Sequence, residues 1–326
     1  MSRKNSVFFR LAGLCLTGIL SLSAGAIPQT MAEEREIAVL LPAAGAPYFR
    51  MKAYGYVDEA KQHGFKVSIF DAGGFGNLQK QITQVEDAVT RGVSAIILVP
   101  ASSEGTSRVV DRAVEAGIPI INDGIATESS NLTSFVGEPS YTMTELLAAH
   151  LVEKLGGKGK VAILTGPGGL DLTRLRNEGL MNYLARFEGI DVVAEKATPV
   201  SSSDAFTTTQ DFLQANPDIK GIYAFTGAMA IGVVQALRVS GKTPGEVTVV
   251  TADLEPETDR LIREGWISAT VISQPVEMAR IAVRTAVQAA DGETVNAEIL
   301  TQPSIVTNAT IDAVDLSGQF VPEDWN

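Results

Sequence analysis

Catalysis by side chains needs a nucleophile beside a base, a carboxylate pair or a cluster of metal ligands, and this 326-residue chain spaces none of these for the purpose. It has no G-x-S-x-G and no HExxH, and its two histidines, His63 and His150, fall at the ends of expected helices, where capping or surface roles suit them. Glu138, Asp171 and Asp204 are scattered acids without an evident partner. The loop Gly166-Pro167-Gly168-Gly169 lacks the Lys-Ser/Thr ending of a phosphate cradle, and dinucleotide spacing fails at Asp171, so it reads as a strand-to-helix turn. What remains is binding chemistry. Tyr48 and Phe49 offer a flat apolar wall, Arg176 offers several fixed donors, and Asp253 accepts donors without offering one. The expectation is a non-enzymatic protein that needs neither cofactor nor metal.

The elements that must position these residues alternate along the chain. Short β-branched runs ending in Gly, Pro, Asn or Asp are followed by stretches with apolar residues three and four apart, the mark of βαβ units on parallel sheets. In the first half, strands are expected over 37–41, 66–70, 95–99 and 118–122, with helices over 48–63, 77–91 and 103–116. In the helix after Asn77, Ile82, Val85, Ala88 and Val89 form one stripe opposite Gln79, Lys80, Glu86 and Asp87; Asn77 suits the N-cap and Gly92 the left-handed stop. After 132–136 the pattern restarts, with strands over 160–164, 192–195, 221–225 and 247–252 and helices over 141–155, 173–187, 205–214 and 229–239. A strand over 267–272, a helix over 275–290 and an extended tail through 310 complete it. Two such sheets predict two lobes with a cleft, and ligands of open sheets sit beyond the carboxyl ends of the strands. Asn122 and Asp123 end the fourth strand there. No flexible linker separates the halves, so ordered crossing strands should join them.

The first residues set the expected compartment. Arg3, Lys4 and Arg10 precede an apolar run over 11–22 and then small residues, the build of a secretory signal peptide over 1–32; a cut after Ala26 is the alternative to one after Ala32. A run of twelve residues, broken by Thr17 and Ser21, is too short for a membrane span, which takes about twenty. Cys15 follows bulky Leu14, which argues against a lipid anchor, and a cut at Ala32 leaves no cysteine for disulfides, thiol chemistry or metal ligation. The cut removes three positive charges and no negative ones, taking the formal charge from −12 to −15, so nucleic acid and anionic membranes are excluded as partners. With 45% apolar and 20% charged residues the chain has the composition of a globular protein, and the leader is expected to export it.

The strand ends, taken together, resemble the periplasmic ribose-type (type I) sugar- and solute-binding proteins of ABC importers. The matching pieces are Ile37-Ala38-Val39-Leu40-Leu41 leading to Pro47-Tyr48-Phe49, Arg91-Gly92-Val93 before Ile96-Ile97-Leu98-Val99-Pro100, and Ala116-Gly117-Ile118-Pro119-Ile120. Later come Arg174-Leu175-Arg176-Asn177-Glu178-Gly179, Met229-Ala230-Ile231-Gly232, Val249-Val250-Thr251-Ala252-Asp253 and Glu264-Gly265-Trp266-Ile267-Ser268-Ala269-Thr270. The resemblance implies an α/β protein of two Rossmann-like doubly wound parallel-sheet lobes joined by a three-segment hinge. One lobe takes 33–137 plus 275–303 and the other 138–274 plus 304–326. It further implies a receptor that closes on a small polar ligand, a sugar or polyol, and delivers it to an ABC permease. The same fold in cytoplasmic repressors carries a helix-turn-helix where this chain has a leader.

By the same resemblance Tyr48 and Phe49 stack on the ligand, Arg176 and Asp253 hydrogen-bond it, with Arg174 the alternative to Arg176 since only one of the two is expected to face the cleft, and Gln274 lies at the hinge glutamine, with Ser273 the alternative. Asn122 and Asp123 stand where sugar binders have an Asp-Arg pair, with Gly124 and Ile125 following. Thr226 replaces an asparagine, and Val99 and Ala46 replace amides, so the pocket is less sugar-like than the fold. The turn Asp71-Ala72-Gly73-Gly74-Phe75-Gly76-Asn77 is similar to one in the receptor that partners the trimethylamine N-oxide sensor kinase, which implies the alternative of a ligand sensor for a histidine kinase or chemoreceptor.

Overall fold

The computed structural model describes residues 35–322 and 325. The expected signal peptide, Cys15 and both cleavage positions lie outside the described residues, among which no helix is long and apolar enough to cross a membrane.

The strands are near-continuous aliphatic runs because helices cover both faces of each sheet. Ile37 through Leu41 in β1 (Glu36–Leu41) and all of β3 (Ala95–Leu98) are fully buried. With α1 (Pro47–Gln62), β2 (Lys66–Asp71), α2 (Leu78–Arg91), α3 (Ser107–Glu115), β4 (Ile120–Asp123), β5 (Ser134–Gly137), α9 (Pro275–Ala290) and β11 (Glu298–Leu300) they build the first lobe. Its parallel sheet runs β11-β5-β4-β3-β1-β2. The second lobe repeats the plan with α4 (Ser140–Lys154), β6 (Gly159–Thr165), α5 (Asp171–Leu184), β7 (Ile190–Ala197), α6 (Ser202–Ala215), β8 (Gly221–Ala224), α7 (Gly227–Val239), β9 (Thr248–Ala252), α8 (Pro256–Arg263) and β10 (Ala269–Ile272). Its sheet runs β12-β10-β9-β8-β6-β7, with β12 (Ser304–Val306) antiparallel to β10 and the other pairs parallel.

The chain passes between the lobes three times, after β5, after β10 and between β11 and β12. Thr301 fastens the crossings to one another. Its N–H donates to Gly137 O at 2.8 Å, and its hydroxyl lies 3.3 Å from Gly137 O and 3.4 Å from Ser273 O.

The differences from the sequence-based expectation have local causes. Asn77 precedes α2, but its side chain makes no cap hydrogen bond; its amide donates to Ala72 O at 3.0 Å and closes the 71–77 turn. Gly92, at φ 68°, stops the helix in the left-handed conformation. α3 begins at Ser107 instead of 103, since the backbone of Ser103 is hydrogen-bonded to the other lobe and to Glu128. The tail expected to be merely extended supplies an outer strand to each sheet.

Candidate ligand-binding site

A cavity of about 200 Å³ lies between the two sheets at the carboxyl ends of their strands, below the ~300–1,000 Å³ of drug-sized sites. It therefore suits one small molecule.

The first lobe supplies an aromatic wall and a buried ion pair. Pro47 starts α1, so Tyr48 and Phe49 sit in its first turn just past β1 and line the cavity. Their rings meet edge to face at 5.5 Å, and Phe75, from the 71–77 turn, lies 6.3 Å from Phe49 and lines the same space. Phe49 also packs in the first-lobe core, so it serves the sheet and the cleft together. One turn along α1 the fully buried Lys52 places Nζ 2.5 Å from Asp123 Oδ1 at the end of β4, and the Tyr56 hydroxyl donates to the other Asp123 oxygen. Lys52 escaped the sequence analysis, although Phe49, Lys52 and Tyr56 fall on one helical stripe and a lysine in an apolar stripe needs a partner.

The second lobe contributes most of the charge. Arg176, on the inner face of α5 and 2% exposed, donates to Phe225 O at 2.9 Å and to Glu138 Oε1 at 2.5 Å, and lies 3.6 Å from Asp253 Oδ1. Arg174 is the outward neighbour, paired with Asp171 and Glu178. The three acids read as scattered thus have partners: Glu138 holds Arg176, Asp171 holds Arg174, and Asp204 bonds Ser201 at the start of α6. Glu138, at the first crossing, is a cleft residue that sequence reasoning missed.

Asp253 follows β9 with φ 69°, a left-handed conformation that is costly for a residue with a side chain and is found at functional positions. Burial pushes its carboxyl up to about 6, with Glu138 adding to the rise and Arg176 opposing it. Two residues on, Glu255 lines the cavity at 6% exposure, and its carboxylate has no hydrogen bond or ion pair with any described residue. Burial, then the charge of Asp253, pushes Glu255 up to about 7. Burial likewise holds the Tyr48 hydroxyl well above its usual value, and Glu138, Asp253 and Asp123 reinforce the effect.

The lips of the cleft touch. Ser103, beyond β3 in the first lobe, donates its N–H to Gly169 O at 3.1 Å, and its hydroxyl accepts from the N–H of Asp171, the first residue of α5, at 2.9 Å. Leu170 between them is buried among the first-lobe apolar residues.

Of the expected site residues, the structure brings Tyr48, Phe49, Asp123, Arg176, Thr226 and Asp253 to the cavity lining. Thr226 also accepts from Met229 N at 3.4 Å as the N-cap of α7. Asn122 lies outside the lining, its amide donating to Leu98 O at 3.3 Å and accepting from Thr127 N at 2.7 Å. Gln274 also lies outside; its backbone, at φ 53°, caps α9, and its N–H donates to Gln319 of the C-terminal segment.

Comparison with known proteins agrees with this architecture. Residues 37–294 match the family model described as a periplasmic binding protein domain. The chain is 30% identical over 240 residues to the ribose import binding protein of Bacillus subtilis, covering 74% of this chain and 76% of that one. It is 30% identical over 262 residues to the D-allose-binding periplasmic protein of Escherichia coli, covering 78% and 84%. Among solved structures, an ABC transporter periplasmic solute-binding protein from Actinobacillus succinogenes with bound D-allose superposes with a TM-score of 0.82 at 27% identity, covering 86% of this chain and all of that one. The chain belongs to the periplasmic binding protein family, whose members are non-enzymatic solute receptors of two parallel-sheet α/β lobes.

Proposed function

We propose that this protein is exported by its N-terminal leader, captures one sugar- or polyol-sized polar solute between its lobes, and delivers the closed complex to an ABC permease. The observation that carries this reading is the small cavity lined from both lobes and shut at its lip by Ser103 and Leu170. The names of the relatives, binders of ribose and D-allose, support a ligand of that size. In this reading Tyr48 and Phe49 wall one face of the solute, Arg176 and Asp253 address its polar atoms, and the lobes, 33–137 with 275–303 and 138–274 with 304–326, move about the crossings near Gly137, Ser273 and Thr301 by a hinge. The protein acts as a monomer.

The test is mass spectrometry of the small molecule released on denaturing natively purified protein, followed by calorimetric titration of that compound into wild type and Arg176→Ala. A released solute whose affinity falls at least tenfold in the variant supports the reading; binding indifferent to Arg176 refutes the residue assignment. A second reading, in which a histidine kinase or chemoreceptor senses the closed state, draws on the 71–77 turn, whose Phe75 reaches the cavity. Loss of solute uptake on deletion of the cognate permease favours import, whereas unchanged uptake with loss of a transcriptional response on deletion of a kinase favours sensing.

A further inference from the structure

Accepting that the cleft receives a small solute, we infer that the solute is cationic: an amine-bearing sugar or polyol whose ammonium group sits against Glu255 and Asp253. The cavity is lined by two cations, Lys52 and Arg176, and four carboxylates, Asp123, Glu138, Asp253 and Glu255. Pairing decides which acids are left over. Lys52 is taken by Asp123, both side chains being fully buried at 2.5 Å, and Arg176 is held by Glu138 at 2.5 Å. Asp253 has the longer 3.6 Å approach of the same guanidinium and accepts from the Ser273 hydroxyl at 3.4 Å, with no cation of its own. Glu255, 6% exposed, has no partner for its carboxylate among the described residues, and Glu138 Oε2 is buried without a hydrogen bond. The Glu255 oxygens are open to the cavity, and a carboxylate without a counter-charge in a largely enclosed space is costly, so its retention there calls for a ligand that brings the charge or the donors with it.

The rest of the lining makes an uncharged polyhydroxyl ligand a poorer fit. Tyr48 and Thr226 are its only uncharged hydrogen-bonding side chains, and Thr226 is engaged in capping α7. No amide side chain among the described residues lines the space, so the donors that a hydroxyl group would meet come from the already paired Lys52 and Arg176, against acceptors from four carboxylates. Phe49, Phe75 and Phe225 present rings to the same cavity, and aromatic faces attract ammonium groups as well as apolar ring faces. A metal ion is the weaker alternative, because no group of three or more acidic, histidine or cysteine ligands is assembled among the described residues. Burial is the main reason that Glu255 and Asp253 hold their protons, and the neighbouring carboxylates, Asp253 for the first and Glu138 for the second, add to it.

The experiment uses natively purified protein from the full chain. Its released small molecule is identified by mass spectrometry, and D-glucosamine against D-glucose and D-galactosamine against D-galactose are titrated calorimetrically into wild type and Glu255→Gln. The expected result is a released molecule with a basic nitrogen, or an amine bound at least tenfold more tightly than its hydroxyl counterpart, with that preference lost in Glu255→Gln while the variant stays folded by thermal melting. Release of a neutral sugar, or a hydroxyl compound bound as tightly as its amine, overturns the cationic assignment and leaves the solute-receptor reading standing. No released molecule together with no binding in either pair overturns both.

Discussion

Replacing Glu255 by Gln should make the ligand-free protein more stable, by an amount that grows as pH rises from about 4.5 to about 7 and then levels off. The folded protein holds the Glu255 proton more tightly than the unfolded chain does, with its pKa raised from the ordinary 4.5 to about 7. The corresponding stability is therefore fully present below about pH 4.5 and is lost as pH rises through about 7. A rise of that size corresponds to about 3 kcal/mol between the protonation states, and at 6% exposure little solvent screening reduces it. A glutamine of nearly equal shape carries no charge at any pH, so it escapes the loss. At about 2 cal/mol/K per residue, unfolding a chain of this length carries an entropy near 0.6 kcal/mol/K, and 3 kcal/mol becomes a melting-temperature gain of about 5 °C at pH 8. Differential scanning calorimetry of both proteins at pH 4.5, 6 and 8 would read it. A gap that opens with pH sustains the argument. A gain that is equal at all three values, or a loss at pH 8, would mean that the carboxylate is held by a partner and that the reasoning from its isolation is wrong.

Two further substitutions probe the pairings around the cleft. Lys52→Met leaves Asp123 buried beside the Tyr56 hydroxyl without a cation and should cost about 3–5 kcal/mol in urea unfolding, much of it recovered when Asp123→Asn is added; a loss unchanged by the second substitution would show that Lys52 acts by packing alone. Ser103→Ala removes the hydroxyl that accepts from Asp171 N across the cleft, a net contribution of about 1 kcal/mol, so solute affinity should fall about fivefold in calorimetry with ligand-free melting unchanged. A drop in ligand-free melting instead would place Ser103 in the support of the loop around it.

The fold was legible because the patterns that encode it are local. Aliphatic runs such as Ile37–Leu41 and Ile96–Leu98 can only be strands buried on both faces, and the interposed amphipathic stretches can only cover them. The rule that ligands lie beyond the carboxyl ends of strands said where to look, the family resemblance picked out Tyr48, Asp123 and Asp253 there, and the cavity lies at the same place. Where local reasoning stopped short, the cause was distance along the chain. Glu138 meets Arg176 across 38 positions and Lys52 meets Asp123 across 71, so neither pair leaves a spacing signature. Asn122 looked like a strand-end polar group free for a ligand, yet its amide is consumed by Leu98 and Thr127, a use that only the folded turn reveals.

The same limit explains why ligand identity was least visible. A residue-by-residue reading asks which side chains can reach a solute, and by that measure Arg176 stands first. Pairing reverses the emphasis: Arg176 is largely neutralised by Glu138, and the group left uncompensated is Glu255, which has no partner among the described residues. What such a cleft selects is set by the charge that remains after its internal pairs are formed. The internal pairs form within each lobe, Lys52 with Asp123 in one and Arg176 with Glu138 in the other, so the remainder, Glu255 beside Asp253, already stands on the second lobe before the cleft closes. Closing on a neutral solute would bury the remainder unrelieved, whereas closing on a cation would cancel it, so the preference for charge is expressed mainly in the closed state. A cationic ligand should accordingly owe its tighter binding to slower release more than to faster capture.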